Sequence, residues 1–333
     1  MNKKEWDPCA ILKLSGSYWE ACALHTGVLL DIFTHIGDIS LSAEQVASKI
    51  KGDVRATAML LNALTAMDLL IKESDRYRNT DHAIRYLSKT SDQYMGFIIQ
   101  HHHHLMTSWQ KLVEAVATGK PVRKKASFDG PIVRESFLMG MFNMAMIVAP
   151  KIVPKIDLTG RRRLLDLGGG PGTYAIHFCK YNPGLSAVIF DLPTSRHIAE
   201  DMIERSGLKG KITFIGGNYI EDTLPQGFDV IWLSQILHSE GPEECKTIIG
   251  KAVAALEPQG LIAVHEFILN NEESGPLFPA LFSLNMLVGT PHGQAYSENA
   301  IKSMLLEAGL DSIQRIPLDT PNNSGVIIGI KHA

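Results

Sequence analysis

The chain is short of cysteine, of net charge and of a hydrophobic leader. Its 333 residues hold four cysteines, Cys9, Cys22, Cys179 and Cys245. They are scattered without the paired spacing of a disulfide framework or a zinc site, which predicts buried thiols in a reducing compartment. Lysine and arginine total 32 against 35 acidic residues, a net charge of −3, so nothing calls for a polyanionic partner. The opening Met-Asn-Lys-Lys-Glu-Trp has no apolar h-region behind it, so no signal peptide is expected. No apolar run reads as long enough to span a bilayer. The expectation is a cytoplasmic enzyme with no nucleic-acid or membrane partner, long enough for two domains.

What is present is a glycine cluster behind an apolar run. Residues 164–172 read Leu-Leu-Asp-Leu-Gly-Gly-Gly-Pro-Gly. Such a segment predicts a buried parallel strand ending in a loop where backbone comes close to a ligand, because glycine has no Cβ to hold the ligand away. Thr173 to Lys180 then reads as the helix leaving the loop, which makes a nucleotide-cofactor unit of an α/β sheet. Gly170-Pro171-Gly172-Thr173-Tyr174-Ala175 also fits the loose dinucleotide pattern G-x-G-x-x-A. A second strand, Val188-Ile189-Phe190-Asp191, ends in an acid where a ribose-binding carboxylate belongs. NAD and S-adenosylmethionine (SAM) both carry ribose hydroxyls, so the loop and Asp191 leave both cofactors open.

The first 110 residues read as mostly helical. Ser42-Ala43-Glu44-Gln45 is a capping box followed by Val46 and Ile50 on one face. Gly52 is expected to break that helix and Asp53 to cap the next, lined by Met59, Leu60, Leu64 and Met67. Leu69-Leu70-Ile71 then turns at Ser74-Asp75 into Arg76-Tyr77-Arg78, and two helices followed by a hairpin make a winged helix. DNA binding is not expected of it: the helix over 53–67 carries one basic residue, Arg55, and phosphate contacts need several. His101 to His104 lie inside a helical pattern in which only His101 and His104 share a face. With no nearby Cys or acidic cluster to complete a metal site, they read as partly exposed imidazoles. Lys120 to Lys125 reads as a solvated linker.

From residue 156 strand and helix alternate, with strands expected at 163–167, 186–191, 211–215, 228–233, 260–268, 312–317 and 324–331. The last two, around Pro321-Asn322-Asn323-Ser324-Gly325, read as a hairpin. A mostly parallel sheet finishing in a hairpin suits a seven-stranded methyltransferase sheet better than an NAD fold. The ordered motifs Phe190-Asp191-Leu192-Pro193, Gly216-Gly217-Asn218-Tyr219, Phe228 to Trp232, Leu237-His238, Leu261 to Phe267, Gly293 to Ser297 and Glu307 to Leu310 span most of the chain. This set resembles the SAM-dependent O-methyltransferases of the plant caffeate and acetylserotonin type and their bacterial relatives.

The resemblance implies three parts: a winged-helix dimerisation domain over 1–110, a helical linker over 111–155 that contributes to the acceptor pocket, and a SAM-binding domain over 156–333. It implies a homodimer acting on a small, aromatic or polyketide-like acceptor. Gly168, Gly169 and Gly170 would meet the methionine end of SAM, Asp191 and Leu192 the ribose, Asn218 and Tyr219 the adenine, with Ser234 where the family has a lysine. His238, just past a strand's C-terminal end, matches the family's catalytic base, and Glu266 one of two acids that orient it. A histidine suits the task because a phenol-like hydroxyl, with a pKa of about 10, is protonated at neutral pH. Phe137 and Met141 match a Phe-x-x-x-Met pattern beside the reactive methyl, Met286 and Thr290 match acceptor-pocket positions, and Gln100 is expected to reach into the pocket from the first domain. No metal is required by this chemistry.

The sequence departs from the plant pattern at Ala295, where the second acid belongs, and at Ser239-Glu240, where Asp-Trp belongs. These departures keep rival readings in view: a SAM protein that methylates nitrogen or carbon or has hydroxylase-like activity, a ligand-sensing winged-helix regulator, and an NAD oxidoreductase.

Overall fold

A computed structural model describes residues 6–332. It divides the chain into two compact units, the first ending at Leu105 and the second beginning at Met106.

The first unit begins with helices Pro8–Gly16, Tyr18–Leu29 and Ile32–Ile36. Strand β1 (Leu41–Ser42) leads into helix Ala43–Ile50, whose capping box forms as read: Ser42 Oγ accepts from Gln45 N and Gln45 Oε1 from Ser42 N. Asp53 then caps helix Val54–Ala66 through Ala56 N at 2.8 Å. Strands β2 (Leu70–Glu73) and β3 (Arg76–Asn79) complete a three-stranded antiparallel sheet in the order β1-β3-β2.

Three details differ from expectation. Lys51, not Gly52, takes the left-handed position that ends the capped helix. The buried face of helix Val54–Ala66 is Thr57, Leu61 and Leu64, while Met59 is exposed, because the stripe is set by packing on Val28, Phe33 and Val46. His101 is buried, not partly exposed. His25, also buried, meets the ring of His103 edge-on at 5.7 Å, and burial together with His103 lowers its pKa.

In the second unit, strands β4 (Arg163–Leu167), β5 (Ser186–Asp191), β6 (Ile212–Gly216), β7 (Phe228–Ser234), β8 (Leu256–Leu269), β10 (Leu310–Ile316) and β11 (Ser324–Lys331) pair in the order β10-β11-β8-β7-β4-β5-β6. A short β9 (Tyr296–Ser297) adds to the end of β8. Strands β4 to β8 are parallel, and β11 runs antiparallel to both β8 and β10. Strands β4, β5, β7 and β11 are mostly buried runs because both faces are covered, whereas β6 and the edge strand β10 alternate buried and more exposed residues. Leu164 and Trp232 point into a cluster with Ala175 and Phe178 of helix Thr173–Tyr181, whereas Leu165, Leu167 and Leu233 face Ile248 and Ile249 of helix Pro242–Ala255. The chain leaves β4 for β5 on one side and returns to β7 on the other, so a crevice opens at the C-terminal end of β4, where such sheets take ligands.

Helix Pro131–Ile152, prolonged by a turn to Lys155, is long and apolar enough by length and composition to cross a membrane. This corrects the expectation that no segment reaches that length. Ser136, Gly140 and Asn143 interrupt the run, so the average passes where an unbroken stretch does not. Val148, Ala149 and Ile152 are packed in the core with Tyr174 and Phe178.

Candidate active site

The glycine loop follows β4 directly. Gly168 N donates to Phe190 O at 2.8 Å, tying the loop to the end of β5. Gly170 N donates to Asp191 Oδ2 at 2.8 Å, while Asp191 Oδ1 accepts from Leu192 N at 2.7 Å and Ser195 Oγ at 2.9 Å. Burial raises the Asp191 pKa and these donors pull it back. Gly168 has φ +68, and a Cβ there would lie 2.5 Å from Ile236 Cγ2, so no other residue fits without a shift. At Gly170 a Cβ would meet only Leu138, at 3.9 Å, so this backbone borders open space.

Behind the loop Asp166 is buried. One of its oxygens accepts from Ala175 N at 3.1 Å and the other has no partner. Burial, with a contribution from Asp191, pushes its pKa up to about 7. Thr173 Oγ1, at the start of the next helix, is also buried and unpaired.

These features fit an adenosyl amino acid. A carboxylate has about four acceptor sites, so Asp191 keeps capacity for a ribose hydroxyl. The open backbone at Gly170 and the start of a helix suit a zwitterionic end.

Past β6, Asn218 Oδ1 accepts from Ile220 N at 3.0 Å, closing a local turn, and Asn218 N donates to Asp222 Oδ2 at 2.8 Å. Lys251 holds the same loop by donating to the carbonyls of Tyr219, Ile220 and Asp222. The Tyr219 ring lies beside Gly168, and its hydroxyl donates to Glu240 Oε1 at 3.4 Å. Burial and the neighbouring Glu240 raise the Tyr219 pKa well above its usual value. Glu240 also pairs with Lys125 at 2.6 Å.

That ion pair corrects the reading of Lys120 to Lys125 as a solvated linker. Val122 N and Arg123 N both donate to Val288 O, and Arg123 is only partly exposed. The segment is docked on helix Leu277–Gly289, a partnership across more than 100 residues that the local sequence does not disclose.

His238 sits in a short turn after β7, buried. Glu266, on β8, is 1% exposed and makes three contacts to that turn: Oε1 accepts from Leu237 N at 2.9 Å and His238 N at 3.3 Å, and Oε2 lies 2.7 Å from His238 Nδ1. Nε2 has no hydrogen-bond partner among the described residues. The imidazole stacks on Phe267 at 6.0 Å and meets Phe282 edge-on at 4.7 Å. Phe267, Phe278 and Phe282 pack on one another. Sequence reasoning missed this aromatic wall, although Phe278 and Phe282, four residues apart before Met286, carried the helical-face signal.

Ala295 is buried and its N–H donates to Ser283 Oγ at 3.0 Å. Met286 is buried on the helix of Phe282. The Thr290 hydroxyl is committed to the turn, donating to Met286 O at 2.8 Å and accepting from Gly293 N at 2.9 Å. Phe137 and Met141 are half-buried one helical turn apart, and between them Leu138 is the residue beside Gly170. Ser234, at the end of β7, has its hydroxyl 2.8 Å from His265 Nδ1. His265 is buried against Trp232 and Tyr174, and burial lowers its pKa to about 4. Gln100 belongs to the first unit, half-buried on helix Gly96–Trp109.

Comparison with known proteins places these features among relatives. Residues 109–311 match the model of an O-methyltransferase domain and residues 12–89 that of an O-methyltransferase dimerisation domain. The chain is 30% identical to 3-hydroxy-5-methyl-1-naphthoate 3-O-methyltransferase of Streptomyces sahachiroi, covering 97% of this chain and 95% of that protein. It is 27% identical to L-tyrosine C(3)-methyltransferase of Streptomyces lavendulae, covering 93% and 88%. Among solved structures, an O-methyltransferase family protein from Burkholderia thailandensis superposes with a TM-score of 0.88 at 28% identity, covering 99% of both chains. PigF with SAH superposes with a TM-score of 0.90 at 26% identity, covering 98% of this chain and 100% of that one.

Proposed function

The chain belongs to the O-methyltransferase family and uses S-adenosylmethionine, and from that premise we propose that it methylates a hydroxyl of a small aromatic or polyketide-like acceptor with His238 as general base. The observation that carries the proposal is the 2.7 Å contact between His238 Nδ1 and Glu266 Oε2. A carboxylate at Nδ1 fixes the tautomer with the proton on that nitrogen, which leaves Nε2 as the acceptor. Glu266 also holds the backbone of the turn, so one buried acid does the orienting work and Ala295 is tolerated.

SAM supplies a methyl group on a sulfonium centre, already activated for transfer. The protein's task is to hold the acceptor in line and remove its proton. Gly168, Gly169 and Gly170 border the amino-acid end, Asp191 and Leu192 the ribose, Asn218 and Tyr219 the adenine side, with Ser234 behind them. Phe137, Met141, Met286, Thr290 and the Phe267–Phe282 wall shape a flat apolar acceptor pocket. Proton removal in the transition state contributes about 10²–10⁴-fold.

The acceptor is of the hydroxynaphthoate or polyketide kind on which relatives act. The enzyme works as a homodimer in the cytoplasm: Leu12, Leu14, Tyr18 and Trp19 of the dimerisation domain, with Ile11 just before it, leave large apolar side chains exposed, the composition of a self-association surface. Relatives that methylate carbon or nitrogen make transfer to an atom other than oxygen the second reading.

An acceptor screen with methyl-labelled SAM tests the proposal, with the labelled position assigned by NMR. An O-methyl product whose formation collapses in His238→Ala supports it. A C- or N-methyl product, or unchanged turnover in that variant, overturns it.

A further inference from the structure

Arg123 has no part in the chemistry above, yet it is held in place with care. Val122 N and Arg123 N both donate to Val288 O, at 3.0 and 3.2 Å. A Cβ on Gly289 would lie 2.5 Å from the central guanidinium carbon, so the missing side chain at 289 is what lets the guanidinium lie against the helix end. Its Nε is buried and unpartnered, and Nη1 donates to Lys124 O at 3.1 Å. No carboxylate of the described residues stands within ion-pair distance of it, while Lys125, two residues on, has Glu240. Burial works against the arginine's charge, with Asp129 the neighbour that opposes this. A buried cation without a counter-ion is unfavourable, and an incoming anion resolves it.

The position of the guanidinium says which anion. Phe282, Met286 and Gly289 recur at helical spacing on one face of helix Leu277–Gly289, and Phe282 is the ring that meets His238. Seven residues of helix rise about 10 Å. The guanidinium therefore lies on the same face as the ring beside His238, about 10 Å further along. A bicyclic aromatic acid spans that interval with a hydrogen bond at each end. Thr290 cannot supply the far contact, since its hydroxyl is already committed.

We propose that Arg123 anchors a carboxylate of the acceptor, so that the substrate class is a hydroxyarene carboxylic acid. Guanidinium and carboxylate pair through two parallel hydrogen bonds, which would fix the ring plane as well as the distance to His238. This rests on the hydroxyl-methylation reading but is read out separately from it.

The test is calorimetric binding to the full-length protein saturated with S-adenosylhomocysteine, using 6-hydroxy-2-naphthoate, its methyl ester and 2-naphthol. The acid should bind roughly 10- to 100-fold more tightly than its own ester. That ratio should fall towards one in Arg123→Met, persist in part in Arg123→Lys, and shrink in Gly289→Ala, which keeps the arginine but displaces it. S-adenosylhomocysteine affinity and the unfolding temperature of each variant report its folding. A wild-type protein that does not favour the acid over its ester overturns the proposal even if no variant folds, and so does a preference that survives Arg123→Met. If the acid preference is present and no methyl reaches oxygen, the reaction assignment fails and the anchor stands.

Discussion

Replacing Glu266 by glutamine tests how much of the base's competence one carboxylate supplies. In the native turn Oε1 accepts from the N–H groups of Leu237 and His238 while Oε2 faces His238 Nδ1 at 2.7 Å. Glutamine keeps an oxygen for the two backbone donors but presents an NH₂ group to Nδ1. The ring must then accept at Nδ1 and carry its proton on Nε2, the nitrogen needed to take the acceptor's proton. Glu266→Gln should therefore lose most of the general-base contribution, about 10²–10⁴-fold in the single-turnover rate, which is about 3–5.5 kcal/mol of barrier. SAM affinity should stay within about twofold, because the glycine loop and Asp191 are untouched. Glu266→Ala should behave differently: it also strands two backbone donors, at about 1–3 kcal/mol each, and should lower stability by about 2–6 kcal/mol. Rapid-quench methyl transfer with saturating SAM, with chemical denaturation alongside, separates the two variants. A glutamine variant within threefold of the wild-type rate would refute the tautomer argument.

Further expectations follow from the buried groups. Asp166, raised to about 7, keeps its proton in the folded state over a range where the unfolded chain, with a carboxyl near 3.9, has lost it, so its contribution to stability falls as pH rises from about 4 to 7. His265, lowered to about 4, stays neutral where the unfolded imidazole protonates, so its contribution rises with pH from about 4 to 6.5. The two slopes oppose each other. Unfolding temperatures across pH 4 to 7 should rise more steeply with pH in Asp166→Asn and turn towards a fall in His265→Gln, and parallel curves would contradict the assignment. Gly168→Ala, at φ +68 and facing Ile236, should cost roughly 1–3 kcal/mol in denaturation experiments and weaken SAM binding; an unchanged midpoint would contradict this. Lys251→Met removes a cation from three loop carbonyls and should raise the SAM Kd on the order of tenfold, measured by calorimetry. An unchanged Kd would mean that the loop holds its shape unaided.

Most of the sheet was legible because its central strands are apolar runs bounded by glycine, proline and acids. The runs at 163–167, 186–191 and 324–331 coincide with β4, β5 and β11, and the hairpin at the end forms as read. β8 starts four residues earlier than its apolar core, since Leu256 to Gln259 extend beyond the apolar stretch. The glycine loop, Asp191 and His238 were legible because each sits at or just past a strand end, where position in the sequence implies position at the crevice, whereas Glu266, inside β8, was singled out only through the family resemblance. The Lys125–Glu240 pair, the docking of Arg123 on Gly289 and the phenylalanine wall were not, because each depends on contacts between segments far apart in the chain. Asn218 shows the opposite limit. Its side-chain oxygen closes a local turn at 3.0 Å, which the reading of Asn218 as an adenine contact did not anticipate.

The proposed role of His238, oriented by Glu266, is to take the acceptor's proton as the methyl group moves. The most direct measurement is the pre-steady-state rate of methyl transfer by His238→Ala, with SAM affinity determined by calorimetry on the same preparation. Wild-type affinity for SAM and a transfer rate lower by about 10²–10⁴-fold are expected. A variant that binds SAM normally and transfers the methyl group at the wild-type rate would contradict that role.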